Sequence, residues 1–284
     1  MYIGQDHLKE VLAVRIQAAK LNGTPLDPVL LDGPPGCGKT TLAKIIAHEL
    51  DVDYDAMSMT DFRADMFQRV VRHHDGVLLL DEIHSATKKQ QDSLLTLLEE
   101  GYFQHRGIAV EAHPNLTIVG ATTEPEALRK ALIERFRIRP GFDPYTDEDM
   151  AEICIGMIHT VGLPWDVEFA EAAAPAAVGI PRRLTTLVGM KYDLWLAGRD
   201  HGIDEVLRLL RLTPDGLGVN EVKYLKYLDT QLVAGADLLA RALRISKPEL
   251  LEIERIFMER GYIAHGPNGR SITPTGTKRV KELA

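Results

Sequence analysis

Residues 33–41, GPPGCGKTT, offer the first chemistry in the sequence. Gly33, Gly38, Lys39 and Thr40 fill the pattern G-x-x-x-x-G-K-[ST], with Pro34, Pro35, Gly36 and Cys37 between the glycines and Thr41 behind. In such a loop the backbone N–H groups curl around phosphates, and the helix that follows adds its partial positive charge. Lys39 is expected at the β- and γ-phosphates of ATP, and the Thr40 hydroxyl at a Mg²⁺ ion. Cys37 reads as a small packed side chain rather than a redox group.

A second acidic signal lies some 40 residues on, where LLLDEIH ends an apolar run on Asp81 and Glu82. Asp81 is placed to orient Mg²⁺, and Glu82 to polarise a water against the γ-phosphate. Switch GTPases put that second role on a glutamine elsewhere, so the Asp-Glu pair points to an ATPase that turns over. His84 either joins this site or is a solvated histidine at a helix start. His73 and His74 are adjacent and face apart on a helix, and neither they nor the two cysteines have metal-ligand spacing.

These residues need a strand before the loop, a helix after it and a strand under the acidic pair. VLLD at 29–32, GVLLLDE at 76–82 and NLTIVGATT at 115–123 read as buried strands, with helical stretches between them. The body is therefore expected to be α/β with a largely parallel sheet. Residues 147–212 hold no strand pattern and predict helices over 147–160, 167–178, 181–197 and 203–210. LTPDGLG at 212–218 reads as a linker. Three helical pieces and two short strand-like runs around Pro267-Asn268-Gly269 follow, the order of a winged helix. The expected divisions are 1–143, 144–213 and 214–284.

Of 284 residues, 45% are hydrophobic and 26% charged, which is ordinary for a globular protein. No apolar run has the length of a membrane helix and the start lacks the form of a signal peptide, so the expected location is the cytoplasm. Net charge is −8, against a surface coated for nucleic acid. The charge is uneven, however. Residues 215–284 carry 11 Lys/Arg against 9 Asp/Glu, which leaves room for local DNA contact.

Several stretches together resemble the RuvB family of AAA+ ATPases, which drive branch migration at Holliday junctions. YIGQ, the phosphate loop, LLLDEIH, IVGATT, LIERF and GIPRRL stand in that family's order, and GADLLARAL with GYIAHGPNGRSITPT resembles its winged helix. The resemblance implies an AAA+ P-loop domain, an all-α lid and a C-terminal winged helix, assembled as a hexameric ring on duplex DNA or a four-way junction in recombination and repair. Tyr2 and Ile3 would line the adenine pocket. Thr122, with Thr123 beside it, would position the attacking water. Arg135 would be an arginine finger for the neighbouring subunit, and Arg182 a second sensor entering from the lid. Arg270 would touch the DNA backbone. The family holds adenine partly through a segment upstream of YIGQ. Its stretch corresponding to EEGYFQHRGIAVEAHP is longer and forms a hairpin that docks the junction-recognising protein RuvA, so the shorter form here speaks against that partner. Arg137 replaces a family glycine and Asn268 a wing arginine.

Two other functions use the same parts. A clamp- or helicase-loader shares the ATPase site. A nucleotide-switched regulator would read sequence with its winged helix. Glu82 and Arg135 promote turnover and so oppose a mere switch. The candidate recognition helix carries Glu249, Glu252 and Glu254 before Arg255, and carboxylates there repel phosphates.

Overall fold

The computed structural model of the chain describes residues 2–267 and 269–283. It divides into two compact units, one of Met1–Asp149 with Ile180–Arg182, the other of Met150–Gly179 with Arg183–Ala284.

The first unit runs α1 (Asp6–Asn22), β1 (Val29–Asp32), α2 (Lys39–Leu50), β2 (Asp53–Ser58), α3 (Ala64–His73), β3 (Gly76–Asp81), α4 (Lys88–Glu100), β4 (Tyr102–His105), β5 (Ile108–Glu111), β6 (Thr117–Thr122) and α5 (Lys130–Arg135). Its sheet has the order β1-β6-β3-β2 and every pair is parallel. Residues 138 and 141 bridge to the outer edge of β1. Val29, Leu31, Val77, Leu79, Val119 and Ala121 pack into one core with α1 and α2. Leu30, Leu78, Leu80 and Ile118 pack into the other with Phe67, Leu94, Phe103 and Phe136. Burial on both faces replaces polar alternation with continuous apolar runs, which is why these three strands are plain in the sequence. Truncating one such leucine to alanine costs about 2–5 kcal/mol. Because the strands are parallel, Asp32, Asp81 and Thr122 end on the same edge of the sheet.

Two features of this unit go beyond the sequence expectation. β2 is an additional strand at the open edge, and its DYDAMS sequence is half exposed. The short stretch before the third expected strand closes as an antiparallel hairpin, pairing Tyr102 with Glu111 and His105 with Ile108. Arg106 and Gly107 form its tip with φ of 48° and 81°, the pair of left-handed residues that a two-residue hairpin turn requires.

The second unit holds most of α6 (Asp147–Thr160), then α7 (Val167–Ala177), α8 (Pro181–Leu196) from Arg183 onward and α9 (Ile203–Leu210). After these come α10 (Val219–Gln231), β7 (Val233–Ala234), α11 (Ala236–Leu243), α12 (Lys247–Glu259), β8 (Ile263–Gly266), β9 (Gly269–Ile272) and α13 (Pro274–Glu282). β9 pairs antiparallel with both β7 and β8, making the small sheet of a winged helix. Asn268 lies outside the described residues. The helix α13 was not expected. Thr273 caps it, accepting from the Gly276 N–H at 3.1 Å, and Pro274 sits in its first turn, where a missing N–H costs nothing.

Residues 212–218, expected as a linker, are tied down. Asp215 pairs with Arg260 at 3.3 Å and with Arg279, and Arg183 donates to the Gly216 carbonyl at 3.0 Å. Among α6–α9 the Lys191 ammonium is 2% exposed, donates to Asp166 at 2.7 Å and lies 4.3 Å from the Phe169 ring centroid. Cys154, also near Lys191, is pushed up to about 12 by burial. No described helix is long and apolar enough to cross a membrane.

Candidate active site

The phosphate loop joins the end of β1 to the first turn of α2, so its backbone is aimed by a buried strand on one side and a helix N-terminus on the other. Two of its glycines are required by their surroundings. Gly36 has φ 77°, and a Cβ there would lie 2.8 Å from the Cβ of Arg182. Gly38 has φ 102°, and a Cβ would lie 2.7 Å from the Tyr2 hydroxyl.

Lys39 is 7% exposed, and its ammonium donates to the carbonyls of Gly33 at 2.6 Å and Pro34 at 3.0 Å. Burial lowers its pKa, opposed by negative charge that includes Glu82, Asp81 and Asp32. The loop lysine and both residues of the acidic pair are therefore within electrostatic reach of one another. Asp32 closes the set at the end of β1, its carboxyl raised by burial against the pull of Lys39. Thr40 and Thr41 are exposed at the start of α2.

Asp81 ends β3, and its carboxylate accepts the Glu82 N–H at 3.0 Å. Glu82 then leaves the strand with φ 51° and ψ 45°, a left-handed conformation that costs a non-glycine residue about 1–2 kcal/mol. The 3₁₀ turn Ile83–Ser85 follows, anchored by Ile83, which is fully buried. This turn brings His84 to the site. Its Nε2 is 3.3 Å from the Glu82 carboxylate and its Nδ1 is 3.1 Å from the Thr122 hydroxyl. Thr122 is fully buried and also accepts the Glu124 N–H at 3.0 Å, while Thr123 beside it is half-buried.

Tyr2 and Ile3 are half-buried. The Tyr2 hydroxyl donates to the Gly38 carbonyl at 3.4 Å and lies 3.3 Å from the Tyr145 hydroxyl. Tyr145 donates to the Cys37 carbonyl at 3.0 Å, so two phenols brace the far end of the loop. Burial pushes both phenols above their ordinary value. Arg182 is exposed, its backbone N–H donates to the Gly36 carbonyl at 3.3 Å, and its stem covers Gly36. Arg183, one position on, turns elsewhere and pairs with Glu221 at 3.2 Å.

Arg135 does not join this group. It ends α5 on an exposed face, engaged by Glu99 of α4, and Arg137 pairs with Asp27 at 2.9 Å. A surface cavity there is lined by Glu99, Glu134, Arg135 and Arg137. Arg270, expected at DNA, points its Nε and Nη2 at Glu254 of α12, at 2.8 and 3.0 Å.

Residues 1–141 match the family model for the Holliday junction DNA helicase RuvB P-loop domain, and residues 214–281 match the RuvB C-terminal winged helix domain. A relative from Fervidobacterium nodosum, named Holliday junction branch migration complex subunit RuvB, is 33% identical over 98% of this chain and 85% of its own. The chain belongs to the RuvB family. A relative of the same name from Staphylococcus haemolyticus is 31% identical over 99% of this chain and 91% of its own. The solved Thermotoga maritima RuvB, a Holliday junction branch migration motor, aligns with a TM-score of 0.85 at 32% identity, covering 99% of this chain and 95% of that one. As in RuvB, the α/β body carries a P-loop ATPase that binds nucleotide, and a winged helix ends the chain.

The donors present fit Mg²⁺. Thr40 and Asp81 offer hard oxygen atoms, a hydroxyl at the start of α2 and a carboxylate at the end of β3. That is the donor set of an ion completed by phosphate and water rather than by a protein cage.

Sequence reasoning missed Asp32 and Tyr145. Asp32 precedes Gly33 directly and was legible as the polar end of a buried strand. Tyr145 lies more than a hundred residues from the loop, and no local pattern marks it.

Proposed function

We propose that the chain is an ATP-driven, ring-forming motor that promotes branch migration of DNA at four-way junctions. The observation that carries this reading is the gathering of Lys39, Asp81 and Glu82 at one sheet edge while Arg135 stands apart on an exposed helix end. In this reading a second copy supplies Arg135 to the site.

In this reading Lys39 exchanges the loop carbonyls for β- and γ-phosphate oxygens. Glu82 takes a proton from the water that attacks the γ-phosphorus, and the bond to the ADP oxygen breaks. Mg²⁺, held by Thr40 and Asp81, would neutralise phosphate charge. Thr122, or Thr123 at the half-buried strand end, orients the water, and Arg182 reaches the phosphates from α8. Tyr2 and Ile3 border the adenine. Arg135 of one protomer reaches the γ-phosphate of the next, worth roughly 10³–10⁵ in rate, which ties turnover to assembly into a hexamer.

The three parts 1–143, 144–213 and 214–284 would then act as motor, lid and DNA-binding wing. Arg270 keeps Nη1 for a phosphate while Nε and Nη2 hold Glu254. The β4–β5 hairpin, with only Arg106 and Gly107 at its tip, is the surface on which a RuvA-like junction-binding partner is to be tested, and its shortness speaks against that partner. In this reading the protein acts on DNA in the cytoplasm.

The test is ATP turnover with a four-way junction, a linear duplex or a primed single strand, with junction products resolved in parallel. Junction-selective stimulation with strand exchange is expected. Stimulation by primed single strand alone would make the protein a loader.

A further inference from the structure

Between the two strand ends of the ATPase site sits a side chain to which neither the motif nor the family reading assigns a task. His84 is 15% exposed and lies in the turn after β3. It touches Glu82 at 3.3 Å through Nε2 and Thr122 at 3.1 Å through Nδ1. Thr122 belongs to β6, the strand hydrogen-bonded beside β3, so the imidazole spans two neighbouring strands at their carboxyl ends.

The chemistry of the two partners gives this bridge a direction. An ionised carboxylate only accepts, so a neutral ring that serves both contacts carries its proton on Nε2, the nitrogen 3.3 Å from Glu82. Nδ1 is then an acceptor and must take the hydroxyl proton of Thr122. Thr122 can spend it there, since its oxygen is already receiving the Glu124 N–H at 3.0 Å. The chain of donors therefore runs in one sense, from Thr122 through His84 to Glu82. It also extends backwards, because the Gly33 N–H donates to the Thr122 carbonyl at 3.3 Å, joining the phosphate loop to the same strand end.

We infer that His84 is a positioning residue for ATP hydrolysis, holding one oxygen of Glu82 so that the other faces the attacking water, and linking that orientation through Thr122 to the phosphate loop. Glu82 needs such a hold. Its side chain is 40% exposed and springs from a left-handed residue, so its backbone alone does not aim it. A partner that orients a working group in this way is typically worth 10- to 100-fold in activity. The inference rests on Glu82 acting as the base, and its test separates the two ideas.

The experiment measures steady-state ATP turnover and, by calorimetry, ATP affinity for the full chain and four variants. Glu82→Gln tests the underlying reading and should lose turnover while still binding ATP. His84→Ala should lower kcat by roughly 10- to 100-fold with KM and ATP affinity within about twofold. His84→Gln, whose amide N–H can reach Glu82, should recover most of that loss. The double variant Glu82→Gln with His84→Ala should be no slower than Glu82→Gln alone, because His84 acts through the carboxylate. Normal kcat in His84→Ala with a dead Glu82→Gln overturns the positioning role and leaves the base intact. Additive losses in the double variant, or a loss of ATP affinity matching the loss of rate, also overturn it. An active Glu82→Gln removes the base itself.

Discussion

Arg270 on β9 donates two hydrogen bonds, at 2.8 and 3.0 Å, to Glu254, a carboxylate that is 1% exposed within α12. The Tyr224 hydroxyl donates to the same carboxylate at 3.2 Å and His265 lies 3.4 Å from it. The pairing raises the Arg270 pKa, and it ties the wing strand to the helix beneath it. Removing one partner of a buried pair leaves the other charge uncompensated. Arg270→Ala should therefore destabilise the protein by on the order of 3 kcal/mol, read by chemical denaturation. If Nη1 also meets a DNA phosphate, the same variant weakens binding evenly across sequences and lowers the salt slope by about 1. Lost stability with an unchanged slope would assign Arg270 to the wing alone, and a changed sequence preference would favour a regulator.

Glu82→Gln keeps the size of the side chain and removes its basicity. Turnover should fall by roughly 10²–10⁴-fold while ATP affinity holds. Phosphate release and calorimetry on the same preparation check both halves, and unchanged turnover would defeat the assignment of the base.

Arg135 is held by Glu99 on its own protomer, outside the group around Lys39. If it serves a neighbour, Arg135→Ala and Lys39→Ala should each be inactive and should regain activity when mixed, since each carries what the other lacks. A mixture as inactive as its components would count against a trans arginine.

Burial alone would raise the Asp166 carboxyl, but the hydrogen bonds from Lys191 and the Phe169 N–H, with the positive charge of Lys191, together outweigh it and hold the group below its ordinary value near 3.8. A carboxylate depressed in the folded state stabilises it above the unfolded pKa, and that contribution disappears as pH falls through the lower folded value. Acid unfolding of the wild-type protein should thus include a loss below pH 3.8 that Lys191→Met abolishes. Equal acid sensitivity in both proteins would show that the pair carries no such linkage.

Legibility in the sequence followed burial. β1, β3 and β6 are buried on both faces, so they stand out as apolar runs. β2 escaped notice because an edge strand can expose Asp53 and Asp55 without penalty. α13 was missed because Gly276 is its only buried residue, leaving its helical period almost without an apolar stripe. Lys39, Asp81 and Glu82 were legible since phosphate chemistry fixes their spacing from strand ends. Tyr145 and the Arg270–Glu254 pair were not, because contacts between distant segments leave no local pattern. Arg182 and Arg183 illustrate the middle case. Adjacent helical residues point about 100° apart, so the pattern located the pair, and only packing over Gly36 separated them.

The dependence of hydrolysis on a second protomer is tested most directly by ATP turnover per protomer across a dilution series, with particle mass measured in the same samples. Turnover should rise steeply as protomers associate, and solitary protomers should bind ATP while hydrolysing it roughly a thousandfold more slowly. Equal turnover per protomer in a sample shown to be monomeric would contradict the account.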